Sequence, residues 1–159
     1  MLFRSGPHDG FVAIDPGGYL LEFEEFKQHE ENELFIATLQ YAPKIQTQVA
    51  GLNFYGSITW TYHNDLLLMQ NFYEDVLGFR LVADQGWTKI YQTSQTGFIG
   101  LVDERRGMED YADTKAVEIE WVVSNKSDFQ HYAGKKWSDY AEENDLFQGP
   151  EKYNYLVTE

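Results

Sequence analysis

The sequence predicts an α+β fold in which a strand–helix–strands pattern occurs twice, and three observations predict it. The run from Ile58 to Phe79 reads as a strand, an amphipathic helix and a glycine stop. A second strand and helix follow at 117–123 and 126–141. Near the start, Asp15-Pro16-Gly17-Gly18 separates two apolar-alternating segments, the mark of a tight hairpin.

In the central run, Ile58 to Tyr62 is β-branched or aromatic at every position, which suits a packed, pleated surface. Asn64 and Asp65 offer side-chain oxygens to the first amides of a helix. Leu68, Phe72 and Leu77, flanked by Leu67 and Tyr73, form an apolar stripe at helical spacing. Gly78 is able to take the positive φ that ends a helix, and Phe79 to Val82 opens the next strand.

The remaining elements follow in order. Phe11 to Ile14 and Tyr19 to Glu25 are strands, with Pro16 at the second turn position and Gly17 at the third, where positive φ is needed. Leu20, Glu22 and Glu24 share one face of the second strand, and Leu21 and Phe23 the other. A helix is expected over 27–39, stopped by Pro43, then a polar connector over 44–55. Strands are expected at 79–84, 87–93 and 98–103, a charged loop at 104–113, and a last strand at 153–158. The second helix turns Phe129, Tyr132 and Trp137 inward.

Composition narrows the function classes. At 159 residues, 43% hydrophobic and 16% aromatic, the chain is long enough for one cored domain. A net charge of −14 opposes nucleic acid and anionic membrane as partners. The same charge serves solubility or draws in a cationic small molecule. With no cysteine there is no disulfide, thiol nucleophile or thiolate metal site. The N-terminus lacks an apolar run of signal-peptide length, and no stretch is long enough to span a bilayer, so a cytoplasmic protein is expected. No phosphate-binding glycine loop or nucleophile elbow is present. His63, at a strand end beside Asn64 and Asp65, is expected to hydrogen-bond rather than catalyse. Trp87 and Tyr91 are expected to pack the sheet.

Two segments resemble a known family. FYEDVLGF at Phe72 to Phe79 and DPGGYLLEFEEF at Asp15 to Phe26 are similar to motifs of the vicinal oxygen chelate superfamily, the group of glyoxalase I, bleomycin-resistance proteins and extradiol dioxygenases. The resemblance implies paired βαβββ modules forming an incompletely closed eight-stranded mixed sheet around a cleft. It divides one domain into a closing hairpin (1–26), a helix and connector (27–56), a first module (57–103) and the remainder of the second (116–159). That second half is two strands short, so the N-terminal hairpin is expected to complete it by pairing with the sheet that contains 117–123. Circular permutation within the chain, exchange in a swapped homodimer, and a piece of a longer double-barrel protein all fit that arrangement.

Metal-using members of the family hold a divalent ion with four ligands, and the resemblance carries those positions onto Ile58, Gly100, Glu118 and Glu22. Two of the four are unable to ligate, and two carboxylates without imidazole suit zinc, nickel or iron poorly. No transition metal is therefore expected; a divalent ion, if held, would use Glu22 and Glu118. Strand parity turns Ile58, Trp60 and Tyr62, with Phe98, Glu118, Glu120, Glu22 and Glu24, toward the cleft. A one-residue slip would instead put the glutamates in water. Aromatic walls with carboxylates suit a small organic cation. Expected ligand-binding residues are Trp60, Tyr62, Phe98, Glu118, Glu22 and Glu120, in a binding protein of the bleomycin-resistance kind. The alternative is a metal-dependent lyase, isomerase or dioxygenase of the glyoxalase type.

Overall fold

The computed structural model describes residues 2–4, 6–40, 45–46, 53–137 and 145–159. Its elements in chain order are β1 (Leu2–Arg4), β2 (His8–Ile14), β3 (Leu20–Phe26), α1 (Glu33–Gln40), β4 (Ile45–Gln46), β5 (Asn53–Phe54) and β6 (Ser57–His63). There follow α2 (Leu66–Asn71), β7 (Arg80–Asp84), β8 (Thr88–Gln92), β9 (Gly97–Asp103), β10 (Glu118–Val122), α3 (Lys126–Gly134), β11 (Leu146–Gln148) and β12 (Asn154–Thr158). Pro43, and the connector and second-helix residues expected at 44, 47–52 and 138–141, lie outside the described residues. No helix among the described residues is long and apolar enough to cross a membrane.

The first module forms a four-stranded sheet in the order β6-β9-β8-β7, with β6 parallel to β9 and the other pairs antiparallel. The second repeats that logic: β10 lies parallel to β12, and β11 pairs antiparallel on the far edge of β12. β12 therefore stands to β10 as β9 stands to β6. The architecture is α+β, built from paired modules in mixed sheets that do not close into a barrel.

The N-terminal hairpin departs from expectation. It does not join the sheet that contains 117–123; β2 lies between β1 and β3 in a sheet of its own. One edge of β10 is paired along its length by β12, from Glu118 opposite Asn154 to Val122 opposite Thr158, and among the described residues no strand lies on its other edge. The hairpin is instead docked on the first module. The Phe35 ring meets Phe26 at 4.5 Å and Phe98 at 4.9 Å, both edge to face. Buried Asn32 donates to the carbonyls of Pro7 (2.7 Å) and Lys27 (3.0 Å), tying the hairpin base to the start of α1. Burial of a Phe such as Phe35 contributes about 1.5–3 kcal/mol, enough to hold a short hairpin in place.

Two local details also differ. In the hairpin turn, Asp15 accepts from the amides of Gly17 and Tyr19, and the positive φ falls at Gly18 (90°), one position beyond Gly17. Along α2 and the helical turn Phe72–Val76 that continues it, the buried stripe is Met69, Phe72, Tyr73 and Val76, while Leu67 and Leu68 are exposed. Asp65 sets that rotation by capping the Leu68 amide at 2.9 Å. The helix then widens, the Leu77 amide reaching back to the Phe72 carbonyl, so Val76 and Leu77 both turn inward. Gly78 ends it at φ 72°, as read from the sequence.

The main core joins the modules on the helix side of both sheets. Met69, Phe72, Tyr73 and Val76 pack against Tyr91, Ile99 and Leu101 of the first sheet and Phe147, Tyr155 and Val157 of the second. Phe129 and Trp137 pack against this core from α3 and its end, but Tyr132 is exposed, its ring lying over Gly78. With the helix side filled, the first sheet's opposite face is left for the hairpin and the site.

Candidate functional site

On that opposite face α1 fills one end and a cavity of about 270 Å³ occupies the other. Ligand cavities commonly run from about 300 Å³ upward, so this one suits a molecule of one ring or two small ones. β6 contributes Trp60 and Tyr62, β8 contributes Thr88 and Ile90, and the β7–β8 turn contributes Gln85 and Trp87. The hairpin supplies the opposing wall, with His8 from β2 and Glu22, Glu24 and Phe26 from β3. Alternation along β3 makes this possible, since positions 22, 24 and 26 share a face. Arg106, Gly107 and Met108 close the rim after β9.

Two glycines hold the aromatic walls. A Cβ on Gly100 would overlap the Trp60 indole, and one on Gly107 would overlap the Tyr62 ring. The rings therefore lie flat on backbone. The backbone amides of Met108 and Glu109 reach the Tyr62 hydroxyl, and burial pushes that hydroxyl's pKa up. Replacing Gly100 with alanine should displace Trp60, destabilising the fold by about 1–3 kcal/mol through overpacking. Urea denaturation, with Trp60 environment followed by near-ultraviolet circular dichroism, checks this; an unchanged spectrum and midpoint would show that the indole does not rest there.

The carboxyls carry the electrostatics. Burial raises the Glu24 pKa to about 8, with Glu22 adding to the rise, so Glu24 is a neutral acid through most of the physiological range. Burial also raises Glu22. His8 Nδ1 lies 3.6 Å from Glu24, and its Nε2 faces the Gln85 amide nitrogen at 3.3 Å. That amide donates, so Nε2 accepts and Nδ1 carries the hydrogen toward Glu24. Burial lowers the His8 pKa, in keeping with a neutral ring.

Of the residues singled out from sequence, Trp60, Tyr62, Glu22 and Glu24 meet in the cavity. Phe98 shares their sheet face but lies at the end covered by Phe35, buried and away from the opening. Glu118 and Glu120 do not join them. They alternate with Ile119 and Trp121, which pack against the main core, so they point to the exposed side of β10, where Glu120 accepts from Thr158 at 2.8 Å. Trp87 lines the cavity instead of packing the sheet, while Tyr91 is core and its hydroxyl donates to Glu74. His63 is fully buried on the other face of β6, bonded to Thr61 and Glu151. His8, Gln85 and Arg106 were not singled out as ligand contacts; nothing in their local sequence marks them, because tertiary packing alone brings them to the cavity.

The family's four metal positions are not gathered. Ile58 packs in an apolar cluster, Gly100 lies under an indole, Glu118 is on the exposed side of β10, and only Glu22 faces the cavity. Among the described residues, no three His, Cys, Asp or Glu side chains are placed to hold an ion. The residues present do not fit the family's metal.

The chain has the fold found in the vicinal oxygen chelate superfamily. It is similar to the integron cassette protein VCH_CASS1 from the mobile metagenome of V. cholerae, with TM-score 0.53 and 15% identity over 71% of this chain and 97% of that one. It is also similar to TioX from Micromonospora sp. ML1, with TM-score 0.50 and 12% identity over 64% of this chain and 95% of that one. A looser likeness is to lactoylglutathione lyase from Agrobacterium tumefaciens, with TM-score 0.47 and 12% identity over 70% and 94%. No protein-family model and no curated protein sequence matches the chain. At these identities the likeness is one of fold, and the ligand has to be argued from the cavity.

Proposed function

We propose that this protein binds a small aromatic cation, without a transition metal, in the manner of a bleomycin-resistance protein in the cytoplasm. The observation that carries the reading is the placement of Glu22 and Glu24 within one aromatic-walled cavity. Among the described residues Glu22 meets no hydrogen-bond donor or cation, and Glu24 has only His8 nearby. A carboxyl kept from water and from any counter-charge is held neutral at a cost, and a bound cation relieves it. The faces of Trp60, Tyr62 and Trp87 add the attraction of their ring quadrupoles. The net charge of −14 raises the local concentration of any cation approaching the opening.

The sign of the pH dependence follows. Free Glu24, with its pKa at about 8, must lose its proton to pair with a cation. Affinity for benzylamine and tryptamine, which stay protonated over the range, should rise by up to about tenfold per unit from pH 6 to pH 8 and flatten above. Calorimetric titration of the metal-free protein and of Glu24→Gln tests this. The variant should bind more weakly at pH 8 and lose most of the pH dependence. Equal binding by both proteins, or preference for an anion of the same size, would overturn the cation reading.

A further inference from the structure

We infer that the ligand is zwitterionic, with a carboxylate seated on Arg106 and an ammonium facing Glu22 and Glu24 across an aromatic frame. This rests on the reading of the cavity as a cation site and extends it to the opposite end. Arg105 and Arg106 follow one another in a single tight helical turn, Glu104–Arg106, so their side chains diverge. Arg105 takes both oxygens of Asp103, its Nε donating at 2.8 Å. Arg106 goes the other way, with its guanidinium 5.3 Å from the centre of the Trp87 ring at the cavity rim.

Among the described residues Arg106 has no ion-pair partner, although Glu22 and Glu24 line the same cavity. The cavity thus has an exposed guanidinium at its rim and two carboxyls within that form no ion pair with it. A guanidinium over an indole face keeps its in-plane N–H groups available, and that fork matches the two oxygens of a carboxylate. A ligand with charge of one sign only would satisfy one end and leave the other unpaired. A ligand with both, separated by a ring lying between Trp60 and Trp87, satisfies both.

Four probes test it: 4-(aminomethyl)benzoate and 3-(aminomethyl)benzoate, each beside its methyl ester. The ester keeps the ring and the ammonium and removes only the negative charge. Titration calorimetry at pH 8 should show at least one acid binding about tenfold or more tighter than its ester, the scale of a bidentate charge-assisted pair. Arg106→Met should erase that acid's preference over its ester, while Arg106→Lys retains part of it. Esters that bind as tightly as both acids, or a preference that survives in Arg106→Met, would overturn the inference. If the esters bind and Glu24→Gln weakens them while neither acid gains, the cation site stands and only this inference falls. If no probe binds, or Glu24→Gln leaves ester binding unchanged, the cation site falls and this inference with it.

Discussion

Glu24→Gln should make the ligand-free protein more stable at pH 8, by roughly 2–4 kcal/mol, while weakening its hold on cations. An ordinary glutamate ionises near 4.5, but burial followed by the nearness of Glu22 carries Glu24 to about 8. The folded-state value is raised, so the unfolded chain releases this proton first. Below pH 4.5 both states are protonated and the residue costs nothing. As pH rises from 4.5 to 8, the unfolded state gains by ionising and the folded state does not. Stability falls by up to about 1.4 kcal/mol per unit across that window and levels off above it. Glutamine keeps the shape and is never ionised, so the Glu24 share of the slope disappears; Glu22, also raised by burial, leaves a smaller one. Urea midpoints of both proteins at pH 5 and pH 8 test this. A gap between them that does not widen toward pH 8 would show that Glu24 is not held as a buried acid.

A residue that costs stability in the free protein and lies in the cavity is the pattern expected of a binding group. Much of this arrangement was legible in the sequence, because the signals were local. Alternation placed Glu22 with Glu24, and Trp60 with Tyr62. The Asp65 cap and the Gly78 stop bounded the central helix. What was not legible depends on how elements are stacked. Parity correctly put Phe98 on the face of Trp60, yet no pattern in α1 announces that Phe35 would cover it. The alternation along β10 is equally regular, but which of its faces meets the core is decided by Phe79 and Tyr155, both of which contact Trp121. The hairpin carried a recognisable motif, and its strands formed. Its docking place was set by the Phe26–Phe35–Phe98 contacts, which are not a property of the hairpin's own sequence.

The other large effect is expected at Glu151, where the two modules are fastened. Glu151 and Lys152 both hold positive φ, 55° and 64°, without being glycine, a strain of about 1–3 kcal/mol each. The strain persists because the Glu151 carboxylate accepts from the Asp65 amide at 2.7 Å and from His63 Nδ1 at 2.9 Å. The neighbouring Tyr153 hydroxyl accepts from the Tyr62 amide and donates to the Tyr62 carbonyl, both at 3.3 Å. The start of α2, the end of β6 and the back of a cavity residue thus hang on one turn of the second module. Burial lowers the His63 pKa, with the Glu151 bond only partly opposing it; burial works to raise Glu151, but the His63 and Asp65 bonds carry it below its usual value. Both groups make the fold sensitive to acid. The unfolded chain protonates His63 as pH falls below 6.5, and Glu151's contribution, present above 4.5, is lost as pH falls through its depressed folded value. Glu151→Ala should cost about 3–5 kcal/mol at pH 7, because it leaves a buried imidazole and a helix-start amide without partners. Glu151→Gly should cost less, since glycine releases the strain at φ 55°. Both losses should shrink as pH falls through the depressed Glu151 value, where the wild-type carboxylate itself takes up a proton. Urea denaturation of the three proteins from pH 7 downward decides the matter. A loss below 1 kcal/mol for the alanine variant, or one independent of pH, would mean that the carboxylate does not hold the modules together.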